Sequence, residues 1–116
     1  WDVVRPAYLD LKNKSDKNEV EQNGYKLLRL LIEQPHIPAR SLQQVQCPTL
    51  VIGGDFDVIR EEHTVEIFRN IPNAYLWILP NSGHSTAIVY AEEFNKKIET
   101  FFKTPYRKFD AAARFF

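Results

Sequence analysis

The sequence predicts an α/β architecture: a partial, doubly wound parallel sheet, with two strands in this chain, flanked by helices. Three observations carry that prediction. Two short apolar runs, Thr49 to Ile52 and Tyr75 to Leu79, each stop at turn-forming residues, Gly53-Gly54 and Pro80. Neither run alternates between apolar and polar, so both faces of each strand need cover, as in a parallel sheet sandwiched between helices. Between the runs, Glu61 to Ile71 carries Val65, Ile67, Phe68 and Ile71 near the helical period, and Pro72-Asn73 stops it. A strand, helix, strand link of this length is expected to cross over right-handedly. In such sheets reactive groups collect beyond the carboxyl ends of the strands, which is where Asp55, Asp57 and His84 fall.

From the amino terminus, residues 1–13 mix apolar side chains with Pro6 and hold no sustained period, which predicts an irregular or partly helical lead-in. Residues 12–21 are dense in charge. An amphipathic helix then starts at Asp16 or Asn18, with Val20, Leu27, Leu28, Leu31 and Ile32 as its apolar stripe. Gly24 weakens this helix without breaking it, and Pro35 and Pro38 end it. Residues 38–44 read as one or two helical turns with Pro38 near the start, pinned by Leu42 and Val45. After the second strand, Pro80-Asn81-Ser82-Gly83 is a turn cluster that leads into His84. A last helix from Tyr90 presents Phe94, Ile98, Phe101 and Phe102 on one face. Glu92 and Glu93 lie in its first turn, where negative charge suits the helix dipole, and Thr104-Pro105 stops it. Residues 106–116 hold Phe109, Phe115 and Phe116 beside Arg107, Lys108 and Arg114, so a short docking helix is expected, with a disordered end as the alternative.

With 15 basic and 15 acidic residues the formal net charge is zero, which argues against nucleic acid and anionic membrane as partners, since both demand clustered positive charge. The apolar runs are far shorter than a bilayer requires. At 116 residues and 44% apolar content the chain can bury one core. Its single cysteine, Cys47, rules out an internal disulfide and is compatible with a reducing, cytoplasmic compartment. Because it directly precedes a buried strand, Cys47 is expected to be a packed thiol and not a nucleophile. The chain opens on Trp1 and not on methionine, so an upstream segment is expected to have been removed.

A carboxylate and a histidine on neighbouring loops make two members of a nucleophilic triad: the acid fixes the imidazole tautomer, and the imidazole deprotonates a serine or cysteine. The bland readings are a turn histidine at Gly83-His84 and a turn or helix-cap carboxylate at Asp57. Ser15, Ser41, Ser82 and Ser85 all lie outside a Gly-x-Ser-x-Gly elbow, and Ser82 and Ser85 read as turn or cap serines. His63 reads as a solvated helix residue and His36, between two prolines, as a loop residue. A metal set of Asp55, Asp57, His63 and His84 lacks any recognised ligand spacing, so no metal site is expected. The apolar strand followed by Asp-Phe-Asp-Val also resembles the first motif of haloacid dehalogenase-like phosphatases. That resemblance would make Asp55 a nucleophile with magnesium bound nearby, and it predicts a downstream acidic pair for the metal and a lysine after a further strand; after His84 there is only Glu92-Glu93, at a helix start.

Cys-Pro-Thr-Leu-Val-Ile-Gly-Gly-Asp-Phe-Asp-Val-Ile, followed by Ile-Pro-Asn-Ala-Tyr-Leu-Trp-Ile-Leu-Pro-Asn-Ser-Gly-His-Ser and Glu-Glu-Phe-Asn, resembles the end of an α/β-hydrolase over roughly Leu42 to Phe102. By that resemblance Asp57 falls on the triad acid, His84 on the catalytic base, and Asp55 on a turn residue capping the backbone. The resemblance implies hydrolysis of esters or similar small acyl or carbon–carbon bonds in a longer parent, a small-molecule substrate, and no cofactor. It divides the chain into a lead-in following a cap region (1–16), a carboxyl-terminal core (17–103) and a tail (104–116). The nucleophile elbow, the oxyanion-hole loop and the first six strands have no counterpart, so the isolated chain is expected to be inactive.

Two parallel strands leave a row of unpaired backbone groups on each outer edge. Neighbouring strands must therefore come from elsewhere. If they do not come from a parent chain, the alternative is a non-catalytic module that self-associates through its sheet edges or completes a partner's sheet.

Overall fold

In the structure, a computed structural model, residues 4–108 are described. Two compact units divide the chain, Trp1–Ile37 and Pro38–Phe116.

The first unit is a pair of helices. Helix α1 spans Arg5–Asn13 and is regular throughout, so the lead-in is more ordered than its lack of period implies. Pro6 sits within its first turn, where a missing N–H costs no internal bond. Helix α2 spans Glu19–Glu33 and begins with a capping box: Asn18 Oδ1 accepts from the Glu21 amide at 2.9 Å, and Glu21 Oε2 accepts from the Asn18 amide at 3.0 Å. Tyr8 of α1 is buried, stacks on Tyr25 at 5.8 Å and donates its hydroxyl to Glu33 Oε1 at 2.9 Å. The stripe expected on α2 divides: Leu28 and Ile32 are half-buried, whereas Val20, Leu27 and Leu31 are exposed. The helix turns Gly24, Tyr25, Leu28 and Ile32 inward, four residues apart or nearly so, and only part of the sequence-defined stripe lies on that line.

In the second unit a 3₁₀ helix (Ala39–Gln44) leads to strand β1 (Thr49–Gly54), helix α3 (Glu61–Asn70), strand β2 (Ala74–Leu79), a short helix α4 (Thr86–Val89) and helix α5 (Ala91–Lys103). The two strands pair in parallel, from Thr49 opposite Ala74 to Gly54 opposite Leu79. Helix α3 covers one face, where Thr64 is buried and lies so close to Gly53 that an added Cβ would sit 3.1 Å from Thr64 Cγ2. Side chains alternate along a strand, so Tyr75 and Trp77 belong to the opposite face. There α5 supplies Phe101, edge-on to Tyr75 at 6.2 Å, and Phe94, 6.3 Å from Trp77.

Coverage is thinner than two fully buried strands would require. Trp77 is half-buried, with Lys97 Nζ 5.3 Å from its ring centre, and Leu76 is exposed. Phe102 also differs from expectation: it is 79% exposed and not on the packed face of α5, because Phe94, Ile98 and Phe101 already occupy the line facing the sheet. Cys47 is exposed and not packed. It precedes the first ladder residue, where only its carbonyl is used, accepting from Thr49 Oγ1 at 3.1 Å. Beyond α5 the chain turns back, Tyr106 packs on Tyr75 at 5.2 Å, and the Arg107 amide donates to the Tyr75 hydroxyl at 2.8 Å. The docking helix expected over 106–116 falls largely outside the described residues, and 106–108 have no regular structure. Among the described residues, no helix is long and apolar enough to cross a membrane.

Candidate functional site

Where β1 and β2 end side by side, two loops are laced together. Gly54 is the last residue of β1, and a Cβ there would lie 2.0 Å from the Ser82 carbonyl oxygen, so only glycine permits this approach of backbone to backbone. The Asp55 amide donates to Leu79 O at 3.1 Å, continuing the ladder by one step, and the Phe56 amide donates to Ser82 O at 3.0 Å. In return the Ser82 amide donates to Asp55 Oδ1 at 3.0 Å.

The amides of Asn81 and Ser82 hold the Asp55 carboxyl below the usual aspartate range. Asp55 therefore caps a turn, as the sequence resemblance implies, and it caps the turn of the other loop. Its carboxylate is engaged with backbone donors. Asn81 takes φ of 55°, a left-handed conformation that asparagine tolerates better than most residues, and its carbonyl accepts from the Tyr90 hydroxyl at 2.7 Å.

The lacing brings Asp57 and His84 together. His84 Nδ1 lies 2.9 Å from Asp57 Oδ1, and the same oxygen accepts from the Ile59 amide at 2.9 Å. An ionised carboxylate can only accept, so Nδ1 carries the proton and, in the neutral imidazole, Nε2 is left as the basic nitrogen. The Asp57 side chain is 11% exposed and that of His84 67% exposed, so the acid is sheltered while the imidazole reaches solvent. Burial pushes the Asp57 carboxyl up, but the Ile59 amide and His84 outweigh it and the group stays below the usual aspartate range.

Among the described residues, no hydroxyl or thiol hydrogen-bonds His84. Ser82, 1% exposed, turns its hydroxyl to Thr86 Oγ1 at 2.8 Å, and Thr86 Oγ1 donates to Gly83 O at 3.0 Å. Ser85 precedes α4 without a side-chain capping bond. His63 is exposed on α3, 3.7 Å from Glu66, and His36 is exposed in the loop after α2. Among the described residues, no group of three or more His, Cys, Asp or Glu side chains is arranged to hold a metal ion.

Sequence reasoning missed the roles of Gly54, Ser82 and Thr86. The paired glycines ahead of Asp55 were the available signal for a close approach. Nothing local marks Ser82 as buried.

No family model matches the chain. It is similar to serine hydrolase BPHL of Mus musculus, 31% identical over 61 residues, and of Homo sapiens, 33% identical over 61 residues. Each match takes in 52% of this chain and 21% of the relative, so the matched stretch spans about a fifth of those proteins. Among solved structures, a serine hydrolase involved in carbazole degradation (CarC) superposes with a TM-score of 0.62 at 23% identity, over 75% of this chain and 35% of that one. A putative non-heme bromoperoxidase, BpoC of Mycobacterium tuberculosis H37Rv, superposes with a TM-score of 0.54 at 18% identity, over 74% and 38%.

Proposed function

We propose that this chain, whose fold is that of the carboxyl-terminal part of an α/β-hydrolase, supplies the acid and the base of a serine-hydrolase triad, with Asp57 as the acid and His84 as the base. The observation that carries the reading is the 2.9 Å contact between His84 Nδ1 and the sheltered Asp57 carboxylate, made between loops at the same end of two parallel strands. In this reading a serine from sequence outside these 116 residues attacks a carbonyl. His84 Nε2 takes its proton and returns it to the leaving group, while Asp57 holds the tautomer and stabilises the imidazolium. Esters and related small acyl or carbon–carbon bonds are the substrate class, no cofactor takes part, and the chain by itself is inert toward serine-directed phosphonates.

The test begins with the native gene upstream of Trp1. A strand followed by Gly-x-Ser-x-Gly there supports the reading, and the joined protein should hydrolyse activated esters. Asp57→Asn should then lower kcat by roughly three to four orders of magnitude with the fold intact. A variant that keeps the parental rate would remove Asp57 from the mechanism.

The second reading, a module that completes a partner's sheet or its own copy's, is favoured by one observation: β1 and β2 pair only with each other among the described residues, which leaves an edge open on each. Sedimentation velocity and the upstream gene sequence together separate the two. A mass that rises with concentration, in a protein whose gene encodes no nucleophile elbow, favours the module.

A further inference from the structure

Two aspartates stand two residues apart at the end of β1, and only Asp57 touches the imidazole. Asp55 is exposed and takes no part in the apolar core, yet its carboxylate reaches across to the opposite loop and accepts the Ser82 amide at 3.0 Å. The Ser82 carbonyl is held in turn by the Phe56 amide, also at 3.0 Å. One residue of the histidine loop, Ser82, is therefore held by both its amide and its carbonyl, and the two holding residues are consecutive in the acid loop. From that grip Asp57 is one residue beyond Phe56, and His84 is two residues beyond Ser82. On the far side, the Ser82 and Thr86 hydroxyls close against each other in a buried contact and Thr86 bonds Gly83 O, so the turn has little freedom to yield.

We infer that Asp55 is a positioning residue: by holding the Ser82 amide, its carboxylate sets the histidine loop so that His84 Nδ1 meets Asp57. This rests on the acid and base roles proposed above. The pair divides the work of two carboxylates, one bonded to the imidazole and one to the backbone that carries it. Fixing a reacting group to within about half an ångström requires such support from neighbours. The same turn amides that hold Asp55 ionised give the grip a charged acceptor, the stronger kind of hydrogen bond. Loss of the carboxylate should lower stability without abolishing cooperative folding, because the ladder already runs to Gly54 opposite Leu79 and α3 and α5 pack on other residues.

The test reads the imidazole tautomer of each histidine by ¹⁵N NMR at a pH where the rings are neutral, alongside the far-ultraviolet dichroism and melt of each variant. In the parent chain His84 should be mainly the Nδ1–H form, and Asp57→Ala should abolish that preference. A parent without the preference sinks the acid and base reading itself, which separates that failure from failure of the Asp55 role. Asp55→Ala should move His84 at least halfway to its state in Asp57→Ala with the melt still cooperative, while His36 and His63 stay unchanged as internal controls. Asp55→Asn, which keeps an acceptor oxygen for the Ser82 amide, should retain more than half of the parental preference. A His84 tautomer in Asp55→Ala equal to that of the parent overturns the proposal. Loss of cooperative folding in Asp55→Ala overturns it too, since Asp55 would then serve the fold and not one side chain. An Asp55→Asn variant no better than Asp55→Ala also counts against it.

Discussion

Replacing Gly54 with alanine probes the closest approach in the site. An ideal Cβ at Gly54 would lie 2.0 Å from Ser82 O, 2.6 Å from Ser82 C and 3.0 Å from Gly83 O, all backbone atoms that no side-chain rotation can move aside. Ordinary contact begins at 3.4 Å, so the loops must part by about 1.4 Å. The two bonds across this gap, Ser82 N to Asp55 Oδ1 and Phe56 N to Ser82 O, are each 3.0 Å and do not survive that displacement. Overpacking alone costs about 1–3 kcal/mol, and the lost bonds, one of them to a charged group, add to it, which puts Gly54→Ala at roughly 3 kcal/mol or more.

Gly53 supplies the internal comparison. An added Cβ there meets Thr64 Cγ2 at 3.1 Å, Thr64 Oγ1 at 3.2 Å and Ile78 Cδ1 at 3.6 Å, all side-chain atoms that can give by a few tenths of an ångström, so Gly53→Ala should cost about 1 kcal/mol or less. Urea unfolding followed by dichroism measures both. Equal costs at the two positions, or a Gly54→Ala variant within about 0.5 kcal/mol of the parent, would show that the loops are not locked by this contact.

Gly24→Ala should have the opposite sign. The nearest atom to its added Cβ is Leu11 Cδ1 at an ordinary 3.7 Å, so the helix gains roughly 0.5–1 kcal/mol, and a lower urea midpoint would refute this packing of α1 on α2. Acid should weaken the laced loops. Asp55 and Asp57 both have pKa values lowered by folding, so their contribution is complete above the unfolded aspartate value, near pH 4, and is lost as pH falls through the folded values. Glu21 and Glu33 shift the same way, lowered first of all by Lys14 and Arg29 respectively. Urea midpoints measured from pH 6 down to pH 2.5 should therefore fall below about pH 4, and a flat profile would contradict all four assignments.

The sequence made the strands, α3, α5 and, to within a few residues, the start of α2 legible because each has its own local signal: an apolar run with a turn residue, or a helical period. What it hid is non-local. Cys47 neighbours a buried strand in sequence but lies outside the ladder in space, so proximity misled about its burial. The four residues of α4 are too few to show a period. Asp55 has every local mark of a residue capping its own turn, and only the pairing of β1 with β2 reveals that it caps the turn before His84. Ser82 is hidden for the same reason: its neighbours Asn81 and Gly83 are exposed turn residues, while Gly54 and Thr86 close over it from either side.

The contact between Asp57 and His84 depends on strand register. A slip of two residues between β1 and β2 would preserve the faces of both strands while carrying the histidine loop about 6.6 Å along the acid loop, far beyond hydrogen-bond reach. A slip of one would turn Trp77 away from Phe94 and Ile78 away from Thr64. Backbone pairing alone does not distinguish these registers; the side-chain contacts do. The contacts that span both strands, Thr64 and Ile78 against Gly53 on one face and Ser82 against Gly54 at the end, fit together in the observed register. The packing that stabilises the β1–α3–β2 unit is thus also what sets the distance between acid and base, which makes core positions as remote as Thr64 able to disturb the imidazole.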